Sequence, residues 1–161
     1  MMEDRDYMRM ALGEAEKAAA LGEIPVGAVI VSEGNIIATA HNMRESWQDA
    51  TAHAEIIAIR EACAKLKRWR LSDCTLYVTV EPCSMCSGAI VNSRLGRVVY
   101  GCPDSKAGGA ESIFNIINNP NLNHRSEVVS GVCEEECAAI IKKFFHRRRR
   151  ENKDDKRVSK G

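Results

Sequence analysis

Met8, Ala11, Leu12, Ala15, Ala18 and Ala19 recur at helical intervals, so the first twenty residues predict an amphipathic helix. The acidic Asp4 and Asp6 suit the positive start of that helix, and Gly22 is placed to end it. Two β-branched runs follow, Val26 to Ser32 and Ile36 to His41, separated by Glu33-Gly34-Asn35. They read as a hairpin. A polar stretch from Asn42 to Ala50 has no apolar period.

From Thr51 the set Ile56, Ile59, Ala62, Cys63 and Leu66 returns to helical spacing, which puts His53 and Glu55 in the first turn of a second helix. Leu76 to Val80 reads as a strand. Pro82 can open a helix, because its missing N–H would go unpaired there, and Met85, Ala89 and Ile90 supply an apolar stripe. Val98 to Tyr100 is a further short strand, Cys102 to Ala110 a glycine-rich loop, Ser112 to Ile117 a turn or two of helix, and Glu127 to Val129 another strand. Cys133 to about Arg149 carries Cys137, Ile140, Ile141, Phe144 and Phe145 on one face, with glutamates early and arginines late. That charge order complements a helix dipole. Strands and helices alternate after the hairpin, so the fold class is α/β, a mixed sheet covered by helices on both faces.

The 161 residues suit one domain. With 45% hydrophobic and 28% charged residues, composition argues against disorder and against a membrane protein. The net charge of +1 conceals an asymmetry, because Arg147 to Gly161 holds eight Lys/Arg against three Asp/Glu. We therefore divide the chain into a domain over 1–150 and a basic, disordered tail over 151–161, and the basic end suggests a polyanionic partner. Seven cysteines are an odd number, and the Cys-x-x-Cys beside a His-x-Glu favours metal ligation over disulfides. The acidic start has no secretory pattern and no apolar run reaches membrane length, so a cytoplasmic setting without membrane contact is expected.

His53-Ala54-Glu55 and Pro82-Cys83-Ser84-Met85-Cys86 carry the chemistry. One imidazole and two thiolates are an established catalytic zinc set that leaves a position for water, whose pKa the metal lowers toward neutrality. Cys83 and Cys86 share a helix face at a helix start, where the dipole favours thiolate. His53 and Glu55 diverge by about 200° on a regular helix, so both approach one metal only if it lies off the helix end. Glu55 is thus a proton carrier rather than a fourth ligand. A structural site with Cys74 or Cys102 as fourth ligand is the alternative.

With these residues in hand, the chain resembles the zinc-dependent nucleoside and nucleic-acid deaminases, and within them the family of bacterial tRNA-specific adenosine deaminases. The resemblance extends to Ile24-Pro25-Val26-Gly27-Ala28-Val29, Asp49 to Glu55, Glu81 to Cys86, Ser93 to Gly101, Leu122-Asn123-His124-Arg125 and Phe144-Phe145. It implies a three-layer α/β/α cytidine deaminase-like fold with a central five-stranded mixed sheet, one zinc per subunit, and a homodimer acting on a tRNA anticodon stem-loop. It further implies hydrolytic conversion of the wobble adenosine to inosine, with Glu55 shuttling protons. Asn42 is implied to contact the extruded nucleoside, and Arg70, Asp104, Lys106, Asn123 and Phe145 the loop nucleotides. Arg147, Arg148 and Arg149 suit phosphates. Glu111 departs from the family pattern, in which a small residue stands there.

Two other functions compete. A deaminase of free bases or nucleotides such as cytosine, cytidine or guanine has no need of a basic tail, and a non-catalytic RNA-binding subunit of a deaminase complex has no need of Glu55.

Overall fold

The computed structural model describes residues 2–159. Helix α1 (Asp4–Ala20) leads to the hairpin of β1 (Gly27–Ser32) and β2 (Asn35–His41), then to α2 (Arg44–Trp47), α3 (Ala54–Leu66), β3 (Cys74–Val80), α4 (Ser84–Asn92), β4 (Arg97–Cys102), β5 (Glu127–Val129) and α5 (Glu134–Ser159). The five strands form one sheet in the order β2-β1-β3-β4-β5. β1 is antiparallel to both β2 and β3, whereas β3, β4 and β5 run parallel. The hairpin turns on Glu33 and Gly34, both at positive φ.

Alternation along the strands builds the three layers. Ala28, Ile30, Leu76, Val78, Val98 and Tyr100 pack with Ala54, Ala58, Ile59 and Ala62 of α3 and Ile90 of α4. Val29, Val31, Tyr77, Val99 and Cys102 pack with Tyr7, Met8 and Ala11 of α1 and Cys137 of α5. The architecture is thus the α/β/α sandwich on a mixed five-stranded sheet. Small residues let α1 lie close to the sheet, since a Cβ on Gly27 would run into the Ala11 carbonyl oxygen. Asp4 anchors the start of α1, accepting from Arg97 Nη1 and Nη2 (2.8 and 2.6 Å) and from the Tyr77 hydroxyl (2.7 Å).

Four local expectations change. His53 stands one residue ahead of α3 as its N-cap, in extended conformation, instead of in the first turn. The polar stretch after Asn42 contains α2, because the buried Glu23 carboxylate accepts the Glu45 and Ser46 amides at 3.0 and 2.6 Å. That partner lies some twenty residues upstream, outside any local pattern. Ser112 to Ile117 form turns without a helix: their amides reach back to Glu81 and to the Gly108 and Gly109 carbonyls. Finally, α5 crosses the 150/151 boundary and continues to Ser159, where a disordered tail is expected. Glu, Lys and Arg are good helix formers, and Arg147 pairs with Glu151 one turn on at 3.4 Å.

Candidate active site

The sheet brings the starts of two helices together. His53 caps α3 and Cys83 caps α4, each on extended backbone, and Cys86 lies in the first turn of α4. The His53 Nδ1 atom stands 3.6 Å from Cys83 Sγ and 3.5 Å from Cys86 Sγ. All three donor atoms fall within 4.8 Å of one another, a group that could hold a metal ion. Because His53 is a cap and not a helical residue, its ring and the Glu55 carboxylate meet off the helix end, which removes the angular conflict of a regular helix.

Two positive helix ends and an imidazole face the sulfurs, and the proton distribution follows. Cys83 is pulled down to about 4, chiefly by the hydrogen bond from Cys86 and also by His53. Cys86 is pushed up by its hydrogen bond to Cys83 and by burial, and His53 is raised by its bond to Cys83. Glu55 is 4% exposed, and burial lifts its carboxyl to about 7, with the Cys83 charge adding to the effect. A carboxyl so tuned can both take and give a proton near neutral pH.

The cavity in front of this group measures about 160 Å³ and is lined by Ile24, Val26, Asn42, Arg44, Glu55 and Asp104, among others. That is well below the roughly 300–1,000 Å³ of pockets that enclose a whole ligand. It suits a single planar ring system inserted from outside. Asn42 donates to the Ile24 carbonyl (3.2 Å) and accepts the Arg44 amide (3.1 Å), so one donor and one acceptor position remain to it. Asp104 accepts the Lys106 and Ala107 amides at 3.0 and 3.1 Å, which ties its own loop.

Glu81 holds the far wall. Its buried carboxylate accepts the amides of Asp104 (3.0 Å), Ala110 (3.2 Å), Glu111 (2.8 Å) and Ser112 (2.9 Å), as well as the Ser112 hydroxyl. Burial alone would raise its pKa; these donors more than offset it and hold the carboxyl below its ordinary value. Gly108 is required beside it, since a Cβ there would strike the carboxylate.

The cavity therefore brings together His53, Glu55, Cys83, Asn42 and Asp104, with Cys86 behind them. Arg70, Lys106, Asn123, Phe145, Arg147, Arg148 and Arg149 do not line it and are exposed. Arg70 lies over the Trp69 ring at 5.0 Å, and Phe145 meets Phe144 edge-on at 5.5 Å. Arg44, Glu23 and Glu81 are absent from the sequence-derived set. The one signal for Glu81 was a charged residue at the end of an apolar strand just before Pro82.

A cytidine deaminase-like sandwich with His, Cys and Cys at two helix starts and a buried glutamate beside them defines a deaminase. The MafB19-like deaminase family matches residues 2–149. The chain is 51% identical over 140 residues to the tRNA-specific adenosine deaminase of Bacillus subtilis, covering 87% of each chain. It is 53% identical over 119 residues to that of Aquifex aeolicus, covering 74% of this chain and 79% of the relative. A structure solved for work on A-to-I editing by tRNA:A34 deaminases superposes with a TM-score of 0.80 at 44% identity, over 83% of this chain and 97% of the other. A guanine deaminase from Bacillus subtilis superposes at 0.62 with 36% identity, over 78% and 83%. The chain belongs to the deaminase family that includes the bacterial tRNA-specific adenosine deaminases.

Proposed function

We propose that the protein converts adenosine to inosine at the wobble position of a tRNA anticodon loop. The observation that carries this reading is the one-base cavity ending on His53, Cys83, Cys86 and Glu55, in a chain about half identical to tRNA-specific adenosine deaminases.

The donor set fits zinc. Tetrahedral bonds of about 2.3 Å to sulfur and about 2.0 Å to nitrogen give a sulfur–nitrogen edge of about 3.5 Å, and the two edges here are 3.6 and 3.5 Å. His53, Cys83 and Cys86 would hold the ion, which supplies the Lewis acidity that makes water reactive near neutral pH. Glu55 takes the proton of the water that adds at C6, returns it to the purine ring, and carries the next one to the departing amine. Adenosine and water thereby become inosine and ammonia. Asn42, with its free donor and acceptor, orients the nucleoside, and Glu81 keeps Asp104 at the rim through the 104–112 loop.

A loop nucleotide is already unpaired, so seating its base in so small a cavity costs at most a few kcal/mol. Arg70, Lys106, Asn123, Phe145 and Arg147 to Arg149, exposed outside the cavity, take the neighbouring nucleotides and phosphates. The exposed Ile113, Phe114 and Leu122 support a homodimer. All seven cysteines are free, in keeping with a cytoplasmic setting, and no helix among the described residues is long and apolar enough to cross a membrane.

The test is incubation of the purified protein with an anticodon stem-loop bearing a wobble adenosine, alongside free adenosine, cytidine and guanine. Inosine in the stem-loop alone is expected. Conversion of only the free compounds would refute the tRNA reading.

A further inference from the structure

From Phe145 to Ser159 every residue of α5 is exposed. No buried side chain fixes this segment, and about fifteen residues of solvated helix are marginal by themselves. Its charges are nevertheless sorted. At 100° per residue, His146, Arg149, Arg150, Lys153, Lys156 and Arg157 fall within about 120° of arc and extend for about 17 Å. Glu151 and Asp155 lie on the opposite side, in line with Cys137, Ile140 and Phe144 that face the body, and Asp154 flanks the stripe about 40° beyond Arg150. The stripe thus points away from the domain and contains no acid.

Its origin lies near the cavity. Phe144, Arg147 and Arg148 line a groove with Ala19, Ala20, Leu21 and Gly22, and two residues past Gly22 the chain reaches Ile24 in the cavity wall. An RNA with one loop base seated in the cavity would meet the start of the stripe if it left along this groove. The family match ends at residue 149, so Lys153, Lys156 and Arg157 lie beyond it. Past His146 at its start the stripe offers only Lys and Arg, a composition for phosphate oxygens and not base edges.

We propose that the basic stripe of α5 is a second RNA site that grips the phosphate backbone of the double-helical stem flanking the deaminated loop. The proposal rests on the RNA substrate read above and adds the stem to it.

The test variant is K153Q/K156Q/R157Q in the full chain, with circular dichroism to follow helix content. Steady-state kinetics would be run on whole tRNA and on a loop closed by only two or three base pairs. For whole tRNA we expect unchanged kcat, KM raised about tenfold, and a log–log salt slope shallower by about 2. The short loop should be converted as by wild type. A control variant, E151Q/D154N/D155N, should tighten binding far less than the first weakens it. Unchanged KM and slope on whole tRNA, equal losses on the short loop, or a control effect as large as the first would overturn the proposal. So would wild-type protein that binds phosphatidylserine vesicles but not duplex RNA. Direct binding to an RNA duplex, run beside the inosine assay on whole tRNA, separates the two readings: stripe-dependent duplex binding together with no inosine in any tRNA defeats the function and leaves the stripe intact.

Discussion

The Tyr100 hydroxyl donates to Glu111 Oε1 at 2.6 Å. Tyr100 is 3% exposed on β4, so this bond turns the additional carboxylate back toward the sheet while the Glu111 amide is held by Glu81. Glu111 does not line the cavity, and its negative charge is directed away from an entering base. Tyr100→Phe should cost about 1–2 kcal/mol, a fall in Tm of roughly 3–6 °C. Thermal unfolding checks the magnitude, and an unaltered Tm would show the bond to be idle.

Glu55→Ala should retain one zinc per chain, because Glu55 is not among the three donors, and should lower kcat by about 10²- to 10⁴-fold. Metal analysis beside an inosine assay measures both. An active variant would remove Glu55 from the proton path.

Removal of metal by a chelator should abolish turnover and lower Tm by several degrees, since an ion held at 100 times its Kd stabilises the folded state by about 2.7 kcal/mol. Added zinc should restore both, and Cys83→Ala should abolish the restoration.

Gly108→Ala places a Cβ against the Glu81 carboxylate and the Asp104 carbonyl, a strain of about 1–3 kcal/mol in the cavity wall. KM for the stem-loop should rise with a smaller change in kcat. Equal KM values for variant and wild type would argue against a positioning role for this loop.

The Arg97 guanidinium beside Asp4, helped by the Tyr77 hydroxyl, holds the Asp4 carboxyl below its ordinary value against the opposing effect of burial. A depressed carboxylate stabilises the fold fully above its unfolded pKa, about 3.9, and that contribution is lost as pH falls through the lower folded value. Asp4→Asn should therefore reduce stability at neutral pH and flatten its decline below about pH 4. Urea unfolding between pH 2.5 and 7 distinguishes this from a parallel offset of the two curves.

Periodicity in the sequence suffices for α1, the hairpin, α3 and the strands, because each buries one face whose spacing is written locally. The same holds for the three metal-type donors and Glu55, since a Cys-x-x-Cys and a His-x-Glu are short-range signals. What was not legible depends on partners distant in the chain. Glu23 makes α2 out of a polar stretch, and Glu81 takes the Ser112 amide while the Gly108 and Gly109 carbonyls take those of Ile113, Phe114 and Ile116, so that no helix closes after Ser112.

By itself, then, the sequence determined the layers, the ligand types and the carboxylate that stands apart from them. Only the tertiary structure decided that His53 leaves its helix to become a cap, that the cavity admits one ring system, and that Glu111 faces Tyr100. The reason is physical: buried carboxylates and backbone amides must find partners wherever the fold supplies them, and those pairings span distances that no local pattern encodes.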